Sequence, residues 1–458
     1  MNRSMVLLGF LLIINSCKHV ENPKEQFVKW AQRGVIINKV VCKIEPNQSY
    51  CLYLPTSYDV NKSYPVIYAF DPHGNGHIPV ALMKNCAEKL GYIVVGSNIS
   101  RNGLSLDEIN SIINNLLADT QQKISIETNR IYTIGFSGGA RVACLMAQYT
   151  GKVKGVIACS AGFQPDNRPL TFRFIGVAGT QDMNYLEMKQ LGDYLESFHQ
   201  PHQLLVFKGK HQWPPESVIS ESISMLELYA MKDSLIPLNK NYVSNFVIKS
   251  NNRVSDLMKG GCTDSLAIAL MLTERTDQIL DGLTDIVSTK LAVEELKQNP
   301  ELQKYLKDRI SLENYESQKQ SEFVSSFGTK PAGWWKNEIR LLNDAVKASS
   351  RSLKVDMSKR LLGYISLSCY SYVNRVLNMQ DWKAADYFTS IYLQVDPENP
   401  DSWYAFACLQ ANTSKPKGAI ESLRNAIKFG FSDFSKLHND PLLKNLHNIA
   451  EFNSLTRK

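Results

Sequence analysis

The chain has 458 residues, too many for one ordinary hydrophobic core, so its length predicts two or three domains. At 44% hydrophobic and 21% charged residues it has the balance of a folded protein, which excludes a largely disordered chain. The formal net charge is +7, but Lys and Arg alternate with Asp and Glu and form no dense stripe, which argues against a nucleic-acid partner.

The N-terminus reads MNRSMVLLGFLLIINSCKHV. Arg3 supplies a positive charge, and Met5 to Ile14 is an apolar run too short to cross a bilayer. The INSC segment ending at Cys17 resembles a bacterial lipoprotein signal, in which a small residue precedes a cysteine that is lipidated and becomes N-terminal. The resemblance implies a signal over 1–16, lipidation at Cys17, export, and a lipid anchor holding the protein to a membrane of the cell envelope, facing the periplasm or the cell surface. An ordinary export signal with a chance cysteine is the alternative. No later stretch is long and apolar enough to be a membrane span, and residues 17–35 read as a polar tether.

From 36 to 235 the pattern is that of an α/β domain. A hairpin over 36–54 is expected at one edge of a sheet. Its Cys42 and Cys51 flank EPNQ with equal arms. In a hairpin centred on Pro46-Asn47 they face each other, as a disulfide or as two small core residues. None of the nine cysteines forms a CxxC pair, so the spacing predicts no zinc site. The runs YPVIYAFD (64–71), GYIVVGS (91–97), RIYTIGFS (130–137), VKGVIACS (153–160), FRFIGVAG (172–179) and HQLLVFKG (202–209) are apolar on both faces, as central parallel strands are. Helical patterns over 78–90, 105–123, 138–150 and 183–198 separate most of them, which predicts a mostly parallel sheet with helices on both faces.

After 236 the strand signal stops. A helical region over 236–354 is expected, followed by repeats over 355–458. WKAADYFTSIYLQVDPENPDSWYAFACLQ precedes PKGAIESLRNAIKFGFSD, with Ala385 and Ala419 in matching small-residue positions. The pattern resembles a tetratricopeptide repeat, whose helix pairs stack on their neighbours. Such pairs either bind a protein partner or stack with no binding role.

The chemistry centres on GFSGG, Gly135 to Gly139, with a strand before it and a helix after. A sharp strand-to-helix turn holds Ser137 in a strained conformation with its hydroxyl out of the sheet, and glycines two residues away on each side avoid the clash. A serine hydroxyl needs a base. VAGTQDMNY places Asp182 past one strand, and LLVFKGKHQWPP places His211 past the next, in the order serine, acid, histidine. Taken singly, Asp182 reads equally as a helix cap and His211 as a polar loop residue. An oxyanion hole is expected from the backbone N–H of Gly138 and one from the His73-Gly74-Asn75-Gly76 turn, at Gly74. His73 is read as part of that loop and a candidate substrate contact rather than as the general base; the loop is otherwise an ordinary tight turn. In GSNISRNG, Ser97, Asn98, Arg101 and Asn102 face the same edge, as substrate contacts or as a polar loop capping a helix. Trp213 is an aromatic wall of the site or packs on its loop.

With these residues in place, YCLYLP, PVIYAFDPHGNG, GFSGGA, AGTQDMNY and FKGKHQWP resemble the α/β-hydrolases, in particular a branch of secreted esterases and polyester depolymerases. The resemblance covers 36–235. It implies a carboxylic-ester hydrolase with Ser137, Asp182 and His211 as a triad, Gly74 and Gly138 at the oxyanion hole, a small-molecule or polymer ester as substrate, and no metal or organic cofactor. One departure is Gly209-Lys210 before the histidine, where that branch has two glycines. Two rival readings remain: a membrane-tethered scaffold in which the hydrolase core is degenerate and the repeats bind protein, and a serine peptidase on the same fold.

Overall fold

The computed structural model describes residues 22–348 and 352–455. The expected signal and the lipidation site Cys17 lie outside them.

The first half is one sheet clothed by helices. Its strands are β1 (Ile36–Val41), β2 (Ser49–Tyr53), β3 (Tyr64–Phe70), β4 (Ile93–Ser97), β5 (Ile126–Phe136), β6 (Val153–Cys159), β7 (Arg173–Gly179) and β8 (His202–Phe207). They lie in the order β1-β2-β4-β3-β5-β6-β7-β8. The β1–β2 and β2–β4 pairs are antiparallel and every other pair is parallel. This order is that of the α/β-hydrolase fold.

The helices of this half are α1 (Pro23–Trp30), α2 (His77–Leu90), α3 (Leu106–Lys123), α4 (Gly138–Thr150), α5 (Tyr185–Ser197) and α6 (Glu216–Lys232). One face of the sheet packs on α3, α4 and α5 through Ile113, Leu116, Ala143, Met188 and Leu191. The other packs on α2 and α6 through Val80, Met83, Ile223 and Leu226. Central strands buried on both faces explain why their sequence runs are continuously apolar rather than alternating. Behind the sheet, Arg130 at β5 pairs with Glu227 of α6 and bonds the Tyr92 hydroxyl.

Two expectations are corrected here. The segment read as a polar tether contains α1, capped by the Asn22 side chain, with Pro23 in its first turn. Phe27 and Val28 lean on the sheet's core, and Ala31 just past the helix is buried in it. The hairpin, in turn, is not centred on Pro46-Asn47. Its register pairs Val41 with Ser49 and shifts between Ile37 and Val40, and the Cys42 amide bonds the Gln48 carbonyl. Cys42 and Cys51 therefore do not face each other. They lie in hydrophobic clusters on opposite faces of the sheet, and both are free thiols.

Burial raises the Cys42 thiol to about 11 and the Cys51 thiol to about 12. Exposed Cys262 is lowered by its hydrogen bond with Ser265. Since the thiolate is the reactive form, iodoacetamide at neutral pH is expected to modify Cys262 before the other described cysteines. Peptide mapping checks this, and unfolding in urea should level the rates.

The second half is helical: α7 (Lys240–Lys259), α8 (Thr263–Leu280), α9 (Val287–Lys297), α10 (Pro300–Ser326), α11 (Ala332–Ala348), α12 (Leu353–Asn378), α13 (Trp382–Val395), α14 (Pro400–Asn412), α15 (Pro416–Lys428), α16 (Phe434–Asn439) and α17 (Ala450–Leu455), with a 3₁₀ turn over Pro441–Leu446. None of the described helices is long and apolar enough to cross a membrane. Val243 of α7 and Ile279 and Leu280 of α8 join the core on the sheet's α6 face, while Ala267, Ala269 and Leu270 of α8 form a second, small core with Val293 and Leu296 of α9 and Leu302 of α10. The C-terminal core begins at Phe323, ahead of the repeat-like segment, and runs to Phe452. Ala385 and Ala419 are fully buried within it. Trp335, also fully buried, stacks on Phe327 at 4.3 Å and donates its Nε1–H to the Tyr387 hydroxyl at 2.8 Å. Trp335→Ala is expected to destabilise the helical half by about 3–5 kcal/mol, read as a lowered urea midpoint.

Candidate active site

Three strand ends meet at the carboxyl edge of the sheet. β5 ends at Phe136, and Ser137 turns the chain into α4 with φ 52° and ψ −121°, a left-handed backbone that costs a non-glycine residue strain. The Ser137 amide holds the turn by donating to the Cys159 carbonyl of β6 at 2.8 Å. The glycines on either side are there for contact. A Cβ on Gly135 would lie 2.1 Å from the Gly139 carbonyl oxygen, and one on Gly139 would lie 2.1 Å from that of Phe70. Backbone is packed on backbone at the elbow, and only glycine fits.

β7 supplies Asp182 and β8 supplies His211. The two loops are tied by backbone: Thr180 N–H donates to the Phe207 carbonyl and Gln181 N–H to that of Gly209. His211 Nδ1 stands 2.8 Å from Asp182 Oδ1, and His211 Nε2 stands 3.0 Å from Ser137 Oγ. A carboxylate only accepts, so Nδ1 carries the proton, leaving the Nε2 lone pair facing the serine hydroxyl. Asp182 is fully buried, while Ser137 and His211 are half-buried. Asp182 Oδ1 also accepts from the Asn184 amide at 2.9 Å, so the same oxygen holds the imidazole and the start of α5. Phe136 stacks beside the imidazole at 4.8 Å and beside Trp213 at 5.6 Å.

The turn after β3 is organised by Asp71, which the run YPVIYAFD marks only as its last residue. Its carboxylate accepts from His73 N–H at 2.9 Å, Asn75 N–H at 3.4 Å and Trp213 Nε1–H at 2.8 Å. Trp213 thus binds its loop as well as flanking the site. The Gly74 amide donates to the Asp71 carbonyl at 3.1 Å, with φ +72°. It is committed to the turn rather than free for an oxyanion, which corrects the expectation for Gly74. Gly138 stands differently. It is the first residue of α4, where helix amides lack intrahelical partners and the helix end is electropositive.

The polar loop after β4 divides. Asn98 Nδ2 donates to the Asn38 carbonyl at 2.9 Å, which ties it to the edge hairpin rather than to a substrate. Asn102 lies against the neighbour of Ser137: a Cβ on Gly138 would fall 1.8 Å from Asn102 Oδ1. Arg101 and His73 are exposed and pair across a short antiparallel bridge. Asp401 of α14 is within electrostatic reach of His73 and Lys436, and burial raises its carboxyl above the ordinary value. Among the described residues, no group of three or more His, Cys, Asp and Glu side chains is placed to hold a metal.

No family model matches the chain, and neither does any curated protein. Solved structures align with part of it. A fluorophosphonate-binding serine hydrolase F of Staphylococcus aureus is 14% identical, with 43% of this chain and 99% of that chain covered and a TM-score of 0.35. A ferulic acid esterase is 15% identical over 42% of this chain and 97% of that chain, with a TM-score of 0.35. Est1E from Butyrivibrio proteoclasticus is 15% identical over 42% and 98%, with a TM-score of 0.32.

Proposed function

We propose that this protein is a serine hydrolase that cleaves carboxylic esters through an acyl-enzyme. Ser137 is the nucleophile, His211 the general base and then acid, and Asp182 the residue that orients His211 and stabilises its protonated form. The observation that carries the reading is the hydrogen-bond chain Ser137–His211–Asp182, with contacts of 3.0 and 2.8 Å, around a serine held at φ 52°.

Chemically, His211 Nε2 takes the Ser137 proton as Oγ attacks the ester carbonyl carbon. The negative charge that develops on the carbonyl oxygen lies toward the Gly138 amide and the positive end of α4. The carbon–oxygen bond to the leaving alcohol then breaks, and His211 returns the proton to that oxygen. Water, deprotonated by His211, attacks the acyl-serine and releases the acid. No metal or organic cofactor takes part in these steps.

Esters, small or polymeric, are favoured over amides by the sequence resemblance of 36–235 to secreted esterases. Export and lipid attachment through Cys17 are proposed from residues 1–17 alone. Residues 355–458 are proposed as tetratricopeptide-like pairs on the spacing of Ala385 and Ala419, with a protein as the partner such pairs would bind. The test is a panel of short-chain aryl esters and matching anilides, assayed with wild type and Ser137→Ala. Ester turnover that vanishes in the variant supports the reading. Equal turnover in both defeats it, anilide-only turnover favours a peptidase, and an inert wild type favours the scaffold.

A further inference from the structure

The helical half lies across the loop that carries the catalytic acid, and one face of α12 makes the contact. Asp356, Lys359, Arg360 and Gly363 are spaced i, i+3, i+4 and i+7, so they share that face. Gln181 Nε2 donates to Asp356 Oδ1 at 2.8 Å, and Lys359 Nζ donates to Gln181 Oε1 at 3.4 Å. Arg360 Nη1 donates to the Thr180 carbonyl at 2.7 Å. A Cβ on Gly363 would stand 3.3 Å from Met183 Cβ, so the helix backbone itself rests on the loop. The residues on both sides of Asp182 are thus held by α12.

Arg360 is fixed in turn from behind. Its Nε donates to both Glu316 oxygens at 2.9 and 3.0 Å, and its Nη2 donates to Oε2 at 2.6 Å. Its guanidinium lies 4.5 Å from the centre of the Tyr185 ring, and the Tyr185 hydroxyl donates to Glu313 at 3.0 Å. Arg360 is 6% exposed and Glu316 is 0% exposed. A planar guanidinium gripped on one edge by a carboxylate has its remaining N–H aimed in one direction, and here that direction is the Thr180 carbonyl. A buried ion pair of this kind is weak evidence for stability but is well suited to fixing geometry.

We propose that Arg360, set by Glu316, is a positioning residue for the reaction. Through Thr180 it holds Asp182 where it can orient His211, so the helical half completes the active site. This rests on the reading of Ser137, His211 and Asp182 as a triad.

The experiment measures kcat and KM on an aryl ester, per site titrated with a fluorophosphonate, for wild type and three variants of the full chain. The double variant Arg360→Met/Glu316→Met removes both buried charges together, so neither is left unpaired. Arg360→Lys keeps the charge but loses the fork. Gly363→Val presses on Met183 with the ion pair intact. The double variant is expected to lose about 10- to 100-fold in kcat, the scale of a small misplacement of catalytic groups, with KM within about twofold of wild type. Arg360→Lys should fall between it and wild type, and Gly363→Val should also lower kcat. Wild-type kcat per titrated site in the folded double variant, or in Gly363→Val, overturns the proposal. The two claims fail separately: Ser137-independent turnover sinks the triad, whereas Ser137-dependent turnover indifferent to Arg360 and Gly363 sinks only this inference.

Discussion

Ser137→Ala is expected to lower kcat on a short-chain aryl ester by about 10⁶-fold, with the folded structure retained. The size follows from what the hydroxyl does. Without Oγ no acyl-serine forms, and His211 is left only to assist attack by water. The Ser137 backbone is set by the hydrogen bond its N–H donates to the Cys159 carbonyl and by glycine contacts on either side, none of which involves the hydroxyl. Among the described residues the hydroxyl's hydrogen-bond partner is the half-buried His211 ring. Thermal unfolding of the variant should therefore match wild type, and kcat from initial rates reads the chemical loss alone. His211→Ala should give a loss of the same order, and the double variant should lose little more, because the two residues act as one unit.

Asp182→Ala is expected to lower kcat by about 10⁴-fold. The carboxylate is fully buried and accepts from His211 Nδ1. Its removal leaves the imidazole free to turn and to take the other tautomer, and it withdraws the negative charge that steadies the imidazolium in the transition state. Residual activity should exceed that of Ser137→Ala, because the nucleophile and base remain. The variant also loses the bond from the Asn184 amide, comparable to a lost helix cap at about 1 kcal/mol. A lowered melting temperature should accompany the kinetic loss here and be absent in Ser137→Ala.

Much of the α/β half was legible in the sequence, and the reason is local. Central parallel strands are apolar on both faces, so runs such as VKGVIACS stand out, and stretches with helical periodicity separate most of them. GFSGG is readable because steric demands at one turn act on five neighbouring residues. The misses share another origin. Whether Cys42 faces Cys51 depends on a register shift between Ile37 and Val40, which no single-strand pattern encodes. α1 is eight residues long and packs through only a few apolar side chains, a weak periodic signal. The Gly74 amide has the chain position of an oxyanion donor, but the closure of its own turn onto Asp71 decides where it points. Arg360 acts on a carbonyl 180 residues away, and nothing in the sequence around position 360 marks it.

The central claim is that Ser137 is the activated nucleophile. A fluorophosphonate probe followed by peptide mapping tests it most directly, because the reagent bonds only to a serine made reactive by its neighbours. The account predicts one adduct per chain on Ser137 in wild type, slowed sharply in Asp182→Ala and absent in Ser137→Ala. An unlabelled wild type, or an adduct that persists elsewhere in the Ser137→Ala protein, would contradict it.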